Sequence, residues 1–324
     1  MQQERERMTM MTKIIDFFKK SSDARNYLIS ALIFLIIWAL AIFTQDGIPY
    51  NRTALNLGFA EVQWYAVFIL TGISIAAFLA YEEFKKLGWN TDILFDGLLI
   101  AVPLAIVGAR IYYVIFDPNP SYQSLMDVIN ITNGGLSIHG AVIITVIFIY
   151  FFTKKKKISF WLLADILAVG FLIGQIIGRW GNFMNREAYG PVIESTFILN
   201  ILPNFIKDQM TIGGVVHHPT FLYEGLWNFA GLVFLLIARR HRWFKVGDIL
   251  GLYLIWYGLG RGAIIEPLRT GGDPGDALRM FGLPTNIILS LTLFMLGGLA
   301  LIIAKHYLIK EQKYYVDMLV AAND

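Results

Sequence analysis

The sequence predicts an all-α polytopic membrane protein of about eight transmembrane helices, and three observations carry that prediction. The composition is 56% hydrophobic and 16% charged, against roughly 45–50% and 25% in a soluble domain. The apolar residues are gathered into runs close to the ~20 residues that cross a bilayer. The connections between the runs also alternate in charge: five hold 19 lysines and arginines in 72 residues, and four hold 6 in 99.

The runs are expected at 27–43, 62–81, 93–116, 138–153, 160–178, 221–238, 248–265 and 284–304. The basic connections (1–26, 82–92, 154–159, 239–247 and 305–324) belong inside by the positive-inside rule, which puts both termini in the cytoplasm. "KKKK" at 154–157 and "RRHRWFK" at 239–245 read as solvated inner-face charge, and no nucleic-acid partner is expected. Segment 1–26 carries charges of both signs, unlike a signal peptide's leader. No small-residue cleavage site follows the first run, which therefore reads as a retained span. The chain divides into a cytoplasmic segment 1–26, one membrane domain 27–304 and a cytoplasmic tail 305–324. Connection 179–220 is the only long one between spans, and such loops are usually functional or disordered. Its "NILPNF" and "TIGGVVHHP" read as irregular or short-strand structure folded against the outer membrane surface.

Chemistry is expected at the outer ends, where charge is scarce and glycine common. "QWYAV" opens the second span with Trp64 and Tyr65 at the interface. "GARIYYVIF" sets Arg110 inside the third span, and "NGGLSIHG" starts the fourth with His139 near its first turn. The fifth begins near Asp165, a helix-start residue, and runs into "GRWGNFMNREAYG". The seventh ends in "YGLGRGAIIEPLRTGG", with Arg261, Glu266 and Arg269. An arginine within a span costs about 2.5 kcal/mol or more on insertion scales, so it faces a polar interior or a partner. Three spans thus bring Arg110, Arg179 and Arg261 toward one face, and guanidinium groups bind phosphate through paired, charge-assisted hydrogen bonds. Glycines 178, 181 and 190 permit close approach of backbone or ligand. A phospholipid head group is the nearest abundant anion.

Blander readings stand beside these. Arg110 and Arg261 each suit a structural ion pair with a carboxylate such as Glu266. Trp64 and Tyr65 suit an aromatic belt, and His139 a hydrogen-bonded interface histidine. The histidines of "HHP" at 217–219 lack metal-ligand spacing, so no metal is expected and no cofactor is implied. With no cysteine in the chain, disulfides, thiolate metal sites and a cysteine nucleophile are excluded.

Together the motifs resemble the prolipoprotein diacylglyceryl transferase family over roughly residues 60–305. "GRWGNFMNREAYG" is similar to its G-R-x-G-N-F-x-N-x-E-x-x-G signature, with Gly178, Arg179, Gly181, Asn182, Phe183, Asn185, Glu187 and Gly190 at the fixed positions. "QWYAV", "GARIYYVIF", "NGGLSIHGAVI", "HPTFLYEGLWN" and "YGLGRGAIIEPLRT" resemble its other segments, in the same order. Ala66 and Ala141 stand where glycines are usual, and Phe221 where glutamine is. Arg261 and Glu266 are five apart where four is normal, which leaves open the helical phase between them. The span at 27–43 precedes a seven-span family core and, with a hairpin-like loop at 44–61, moves the N-terminus inside.

The resemblance implies transfer of the diacylglyceryl group of phosphatidylglycerol to the lipobox cysteine of a preprolipoprotein, at the outer face of a bacterial plasma membrane. A thioether forms and glycerol phosphate leaves. The implied catalytic set is His139, Arg179 and Arg261, and the implied lipid-binding set Arg179, Tyr65, Asn182, Glu187, Gly190 and Glu266. His139 is the candidate base, with arginine-assisted or water-mediated proton loss left open. An anion or lipid transporter would also place arginines among spans, but would show an internal repeat or broken helices.

Overall fold

The computed structural model describes residues 21–58, 61–117, 122, 124–130, 135–270, 279–280, 283–309 and 312–319. Asn133, Gly134, Gly271 and Gly272 of the quoted motifs lie outside the described residues, as do most of segment 1–26 and the end of the tail. Eight helices among the described residues are long and apolar enough to cross a membrane. They are α1 (Ser22–Phe43), α2 (Trp64–Lys86), α3 (Asp92–Phe116), α5 (Ile138–Lys156), α6 (Phe160–Asn185), α9 (Thr220–Ala238), α10 (Asp248–Arg269) and α11 (Thr285–Leu308). Short helices α4 (Leu125–Ile129), α7 (Thr196–Ile201) and α8 (Asn204–Gln209) lie in the connections. A hairpin pairs β1 (Thr53–Asn56) with β2 (Glu61–Gln63), and a second pairs β3 (Thr211–Ile212) with β4 (Val215–Val216).

Helix α6 is the axis of the bundle, with Leu162, Leu172, Phe183 and Met184 all buried. Ser159 starts it by accepting the Leu162 N–H, as a serine N-cap does, and Arg186 closes it in the left-handed region at φ 55°. Glycines then set how closely its neighbours approach. A Cβ on Gly72 of α2 would stand 3.3 Å from the Gly174 Cα of α6, so these two backbones touch as in other small-residue membrane crossings. Gly108 of α3 and Gly140 of α5 face each other in the same way. Helices α9 and α10 are cross-braced: the Trp227 and Trp256 rings stack at 4.5 Å, and each indole donates to the other's carbonyl. Large apolar side chains such as Leu70, Leu99 and Phe151 cover the outside of the bundle. That surface suits acyl chains, because every backbone polar group in a spanning helix is satisfied internally.

The basic end is tied by charge. Glu83, 2% exposed, accepts two hydrogen bonds from Arg240 at 2.7 and 2.5 Å and one from the Tyr315 hydroxyl at 2.8 Å. Burial and this carboxylate keep the Tyr315 hydroxyl well above the ordinary tyrosine pKa, so it stays a donor. Asp165 caps a neighbour rather than its own helix, accepting the Gly247 and Leu250 N–H groups at the start of α10.

Two expectations change. Helix α6 continues to Asn185 instead of ending at 178, because the polar groups of its last turns find partners inside the protein. "NILPNF" joins two short helices: Ser195 caps α7, which ends at Ile201, and α8 begins after Pro203. "TIGGVV" keeps the short-strand form expected of it, as the β3–β4 hairpin, turned at Gly213 and Gly214 with φ 62° and 84°, conformations that glycine adopts freely.

Candidate functional site

At the end of the bundle opposite the lysines, one chain of ionic contacts crosses four helices. Arg179, two turns before the end of α6, donates to Asn182 Oδ1 at 3.1 Å and to Glu224 Oε1 at 2.6 Å. Glu224, on the first turns of α9 and 4% exposed, takes Arg261 of α10 on its other oxygen at 3.2 Å. Arg261 also reaches Glu266 at 3.0 Å, and Glu266 accepts from Asn286 of α11 at 3.0 Å. At the opposite end of the chain Asn182 donates to the exposed Glu187 at 2.7 Å.

The Arg261–Glu266 contact depends on a local change of helix type. Residues five apart on an α-helix stand about 140° apart around the axis at 3.6 residues per turn. Residues Gly260–Ile265 instead form a π-helical segment, whose i→i+5 pattern stacks such a pair on one face. The five-residue spacing is accommodated there, and the two side chains meet on one face.

Charge and exposure divide this chain. Arg261 and Glu266 are 12% and 3% exposed, whereas Arg179 keeps 23% of its side chain open. Arg269 and Tyr257 lie within electrostatic reach of Arg179, Arg261, Glu224 and Glu266. Three guanidiniums therefore face two buried carboxylates, and the third carboxylate of the chain, Glu187, is exposed to solvent. Each guanidinium has five N–H donors, and Arg179, with one N–H on Asn182 and one on Glu224, retains donors toward its exposed side. Chemically, the arrangement suits an anion laid across Arg179.

Tyr65 stands on the first turn of α2 with its ring directly over Gly181, where a Cβ would overlap it. That glycine lets the tyrosine ring pack directly on α6. Gly190 is buried, its N–H donating to the His218 carbonyl and its own carbonyl meeting His217 Nδ1, both at 2.9 Å. It joins the signature loop to the start of α9. His218 Nδ1 lies 3.0 Å from the Tyr223 hydroxyl; burial first, and then His217, lower its pKa and favour the neutral ring.

His139 sits on the first turn of α5, exposed, stacked on Tyr112 at 5.8 Å with Ser137 Oγ 3.5 Å from Nδ1. None of the described contacts joins it to the arginine chain. The described contacts of Arg110 lie elsewhere: its guanidinium donates to the carbonyls of Val128, Gly135 and Asp127 at 2.7, 2.9 and 2.7 Å. It fastens the loop around α4 to α3. The ion-pair reading does hold for Arg261 with Glu266.

Sequence reasoning passed over Glu224, the residue that couples the arginines, although "HPTFLYEGLWN" displays it. A carboxylate in an otherwise apolar span is the signal that marks it. Asn286 carried no comparable signal.

Eight apolar helices long enough to span a bilayer, with linked arginines partly open at one end, define a polytopic integral membrane protein. The chain belongs to the prolipoprotein diacylglyceryl transferase family, whose family model matches residues 52–303. Proteins of Bacillus cereus, Bacillus thuringiensis and Bacillus mycoides named phosphatidylglycerol–prolipoprotein diacylglyceryl transferase are each 43% identical to it over 265 residues. The matched region is 82% of this chain and 96% of each relative.

Proposed function

We propose that the chain transfers the diacylglyceryl group of phosphatidylglycerol to the lipobox cysteine of a preprolipoprotein, at the extracytoplasmic face of a bacterial membrane. The observation that carries this reading is Glu224 held between Arg179 and Arg261. The thiol sulfur forms a bond to the terminal glyceryl carbon while the bond from that carbon to the phosphate oxygen breaks. Its electron pair leaves with glycerol phosphate, and the thiol proton passes to a base. The phosphate begins as a monoanionic diester and ends as a monoester with additional negative charge. Fixed donors aimed at that growing charge lower the barrier.

Arg179, with its exposed side, anchors the lipid phosphate, and Arg261 meets the departing glycerol phosphate. Glu224 aligns both. Glu266, backed by Asn286, fixes the far side of Arg261, while Asn182 and Glu187 orient Arg179 and bound the head-group space. Tyr65 closes that space from α2, and Gly190 holds the loop below it. His139 takes the thiol proton. A thiol with pKa about 8.5 is mostly protonated at neutral pH, so a base accelerates the attack.

The deciding experiment supplies purified protein with head-group-labelled phosphatidylglycerol and a lipobox peptide. Glycerol phosphate released in step with peptide lipidation supports the reading. Lipid movement across vesicles without release would instead indicate a transporter.

A further inference from the structure

Helix α1 lies before the first residue of the family match, yet it packs against the residues next to the site. Near its end Trp38 meets Trp180 edge-on at 5.6 Å and 81°, and Phe205 at 5.7 Å and 76°. Trp180 then packs on Phe221 at 5.2 Å and on Phe183 at 5.6 Å. Trp180 follows Arg179 directly, and Phe221 lies one turn before Glu224 on the buried side of α9. The rings thus clamp α6 to α9 immediately behind the Arg179–Glu224 pair, with Trp38 closing the cluster.

A second tie reinforces the first. Gln209 is fully buried. It accepts the Tyr50 N–H at 2.8 Å and donates to the Phe183 and Met184 carbonyls at 3.2 and 3.4 Å. The segment following α1 is therefore bound to the last turns of the helix that carries Arg179. The other end of α1 is held separately, where the Tyr27 hydroxyl accepts from Arg239 at 2.8 Å and Asp23 pairs with Arg240 at 3.1 Å.

We propose that α1 is a positioning element for the transfer site, acting through Trp38 on Trp180 and Phe221 to hold Arg179 in line with Glu224. Phe221 fits the same scheme: where the motif has an amide, this chain has a ring that completes the cluster. Among the described residues the Trp38 indole N–H meets no acceptor, so the side chain acts by shape. Phenylalanine at this position keeps an edge-on ring and loses no hydrogen bond.

The test measures kcat and KM for phosphatidylglycerol in proteoliposomes with a lipobox peptide, beside apparent Tm. Trp38→Ala is expected to lower kcat by about ten- to a hundredfold, the scale of a small misplacement of reacting groups, with KM within twofold of the parent. Trp38→Phe restores kcat. Tyr27→Phe loosens the distant end of α1 and leaves kcat unchanged, even where Tm falls. Wild-type kcat in Trp38→Ala overturns the proposal, as does an equal loss in Tyr27→Phe. If Trp38→Ala does not accumulate in the membrane, Trp38→Leu, which removes the ring but fills space, carries the same expectation. The proposal rests on Arg179 and Glu224 forming the transfer site. Activity retained in Arg179→Ala would strike that site reading, whereas an inactive Arg179→Ala with a fully active Trp38→Ala strikes the positioning role alone.

Discussion

Replacing Glu224 by glutamine isolates the role of the shared carboxylate, because it keeps the shape and removes the charge. In the parent each oxygen accepts from one arginine, at 2.6 Å from Arg179 and 3.2 Å from Arg261. An amide offers only one oxygen and turns a donor toward the other guanidinium, so one charge-assisted bond is lost whichever way it is oriented. Hydrogen bonds to charged groups contribute about 1.5–3 kcal/mol. Lost from the transition state, that is about a 10- to 150-fold fall in kcat at 1.36 kcal/mol per tenfold. Removing a negative charge makes the pocket more electropositive, so ground-state binding of the anionic lipid is not weakened. The expected signature is therefore a lower kcat with KM for phosphatidylglycerol unchanged or reduced. Initial rates of peptide lipidation against lipid mole fraction give both constants, and apparent Tm reports on folding. A kcat within threefold of the parent, or a loss confined to KM, would refute the reasoning.

Four further outcomes are expected. Arg179→Ala abolishes lipidation while the protein still inserts in the membrane, since it removes the most exposed guanidinium of the chain; near-normal activity would remove Arg179 as the phosphate anchor. His139→Gln lowers the rate of lipidation, and an unchanged rate and pH–rate profile would exclude it as base. Gly181→Ala forces the Tyr65 ring off α6 and reduces activity at least tenfold by displacing groups at the site, which steady-state rates will show. Tyr315→Phe removes one hydrogen bond to buried Glu83, worth about 1.5–3 kcal/mol; apparent Tm drops by several degrees while kcat, measured well below Tm, is retained.

The membrane spans and the signature residues were legible in the sequence because both are local. A run of apolar residues long enough for a bilayer needs no partner to declare itself, and the eight expected runs correspond to eight helices. The motifs likewise displayed Arg179, Asn182, Glu187, Arg261 and Glu266 as neighbours along the chain. Hydropathy nonetheless ended α6 too early. It scores the polar turn at Arg179 and Asn182 as solvent, whereas the fold supplies Glu224 and Glu187 as partners.

Only the tertiary structure decided which polar groups meet. Arg110 and Arg179 look alike as arginines in or beside apolar spans. One faces the carbonyls around α4, and the other faces a carboxylate on α9. The difference lies in the rotation and depth of each helix, set by contacts such as Gly108 against Gly140 and Gly72 against Gly174. The phase of Arg261 and Glu266 likewise waited on the π-helical segment at Gly260–Ile265, which a count along the chain does not reveal. Trp38 shows the same limit from the other side, as an ordinary apolar residue in the sequence that becomes the ring behind Arg179 once α1 packs on α6. Sequence determined the spans and the chemical inventory of their ends, since composition and local spacing suffice for both. Packing decided the pairings, since two side chains on different helices meet only where their backbones bring them together.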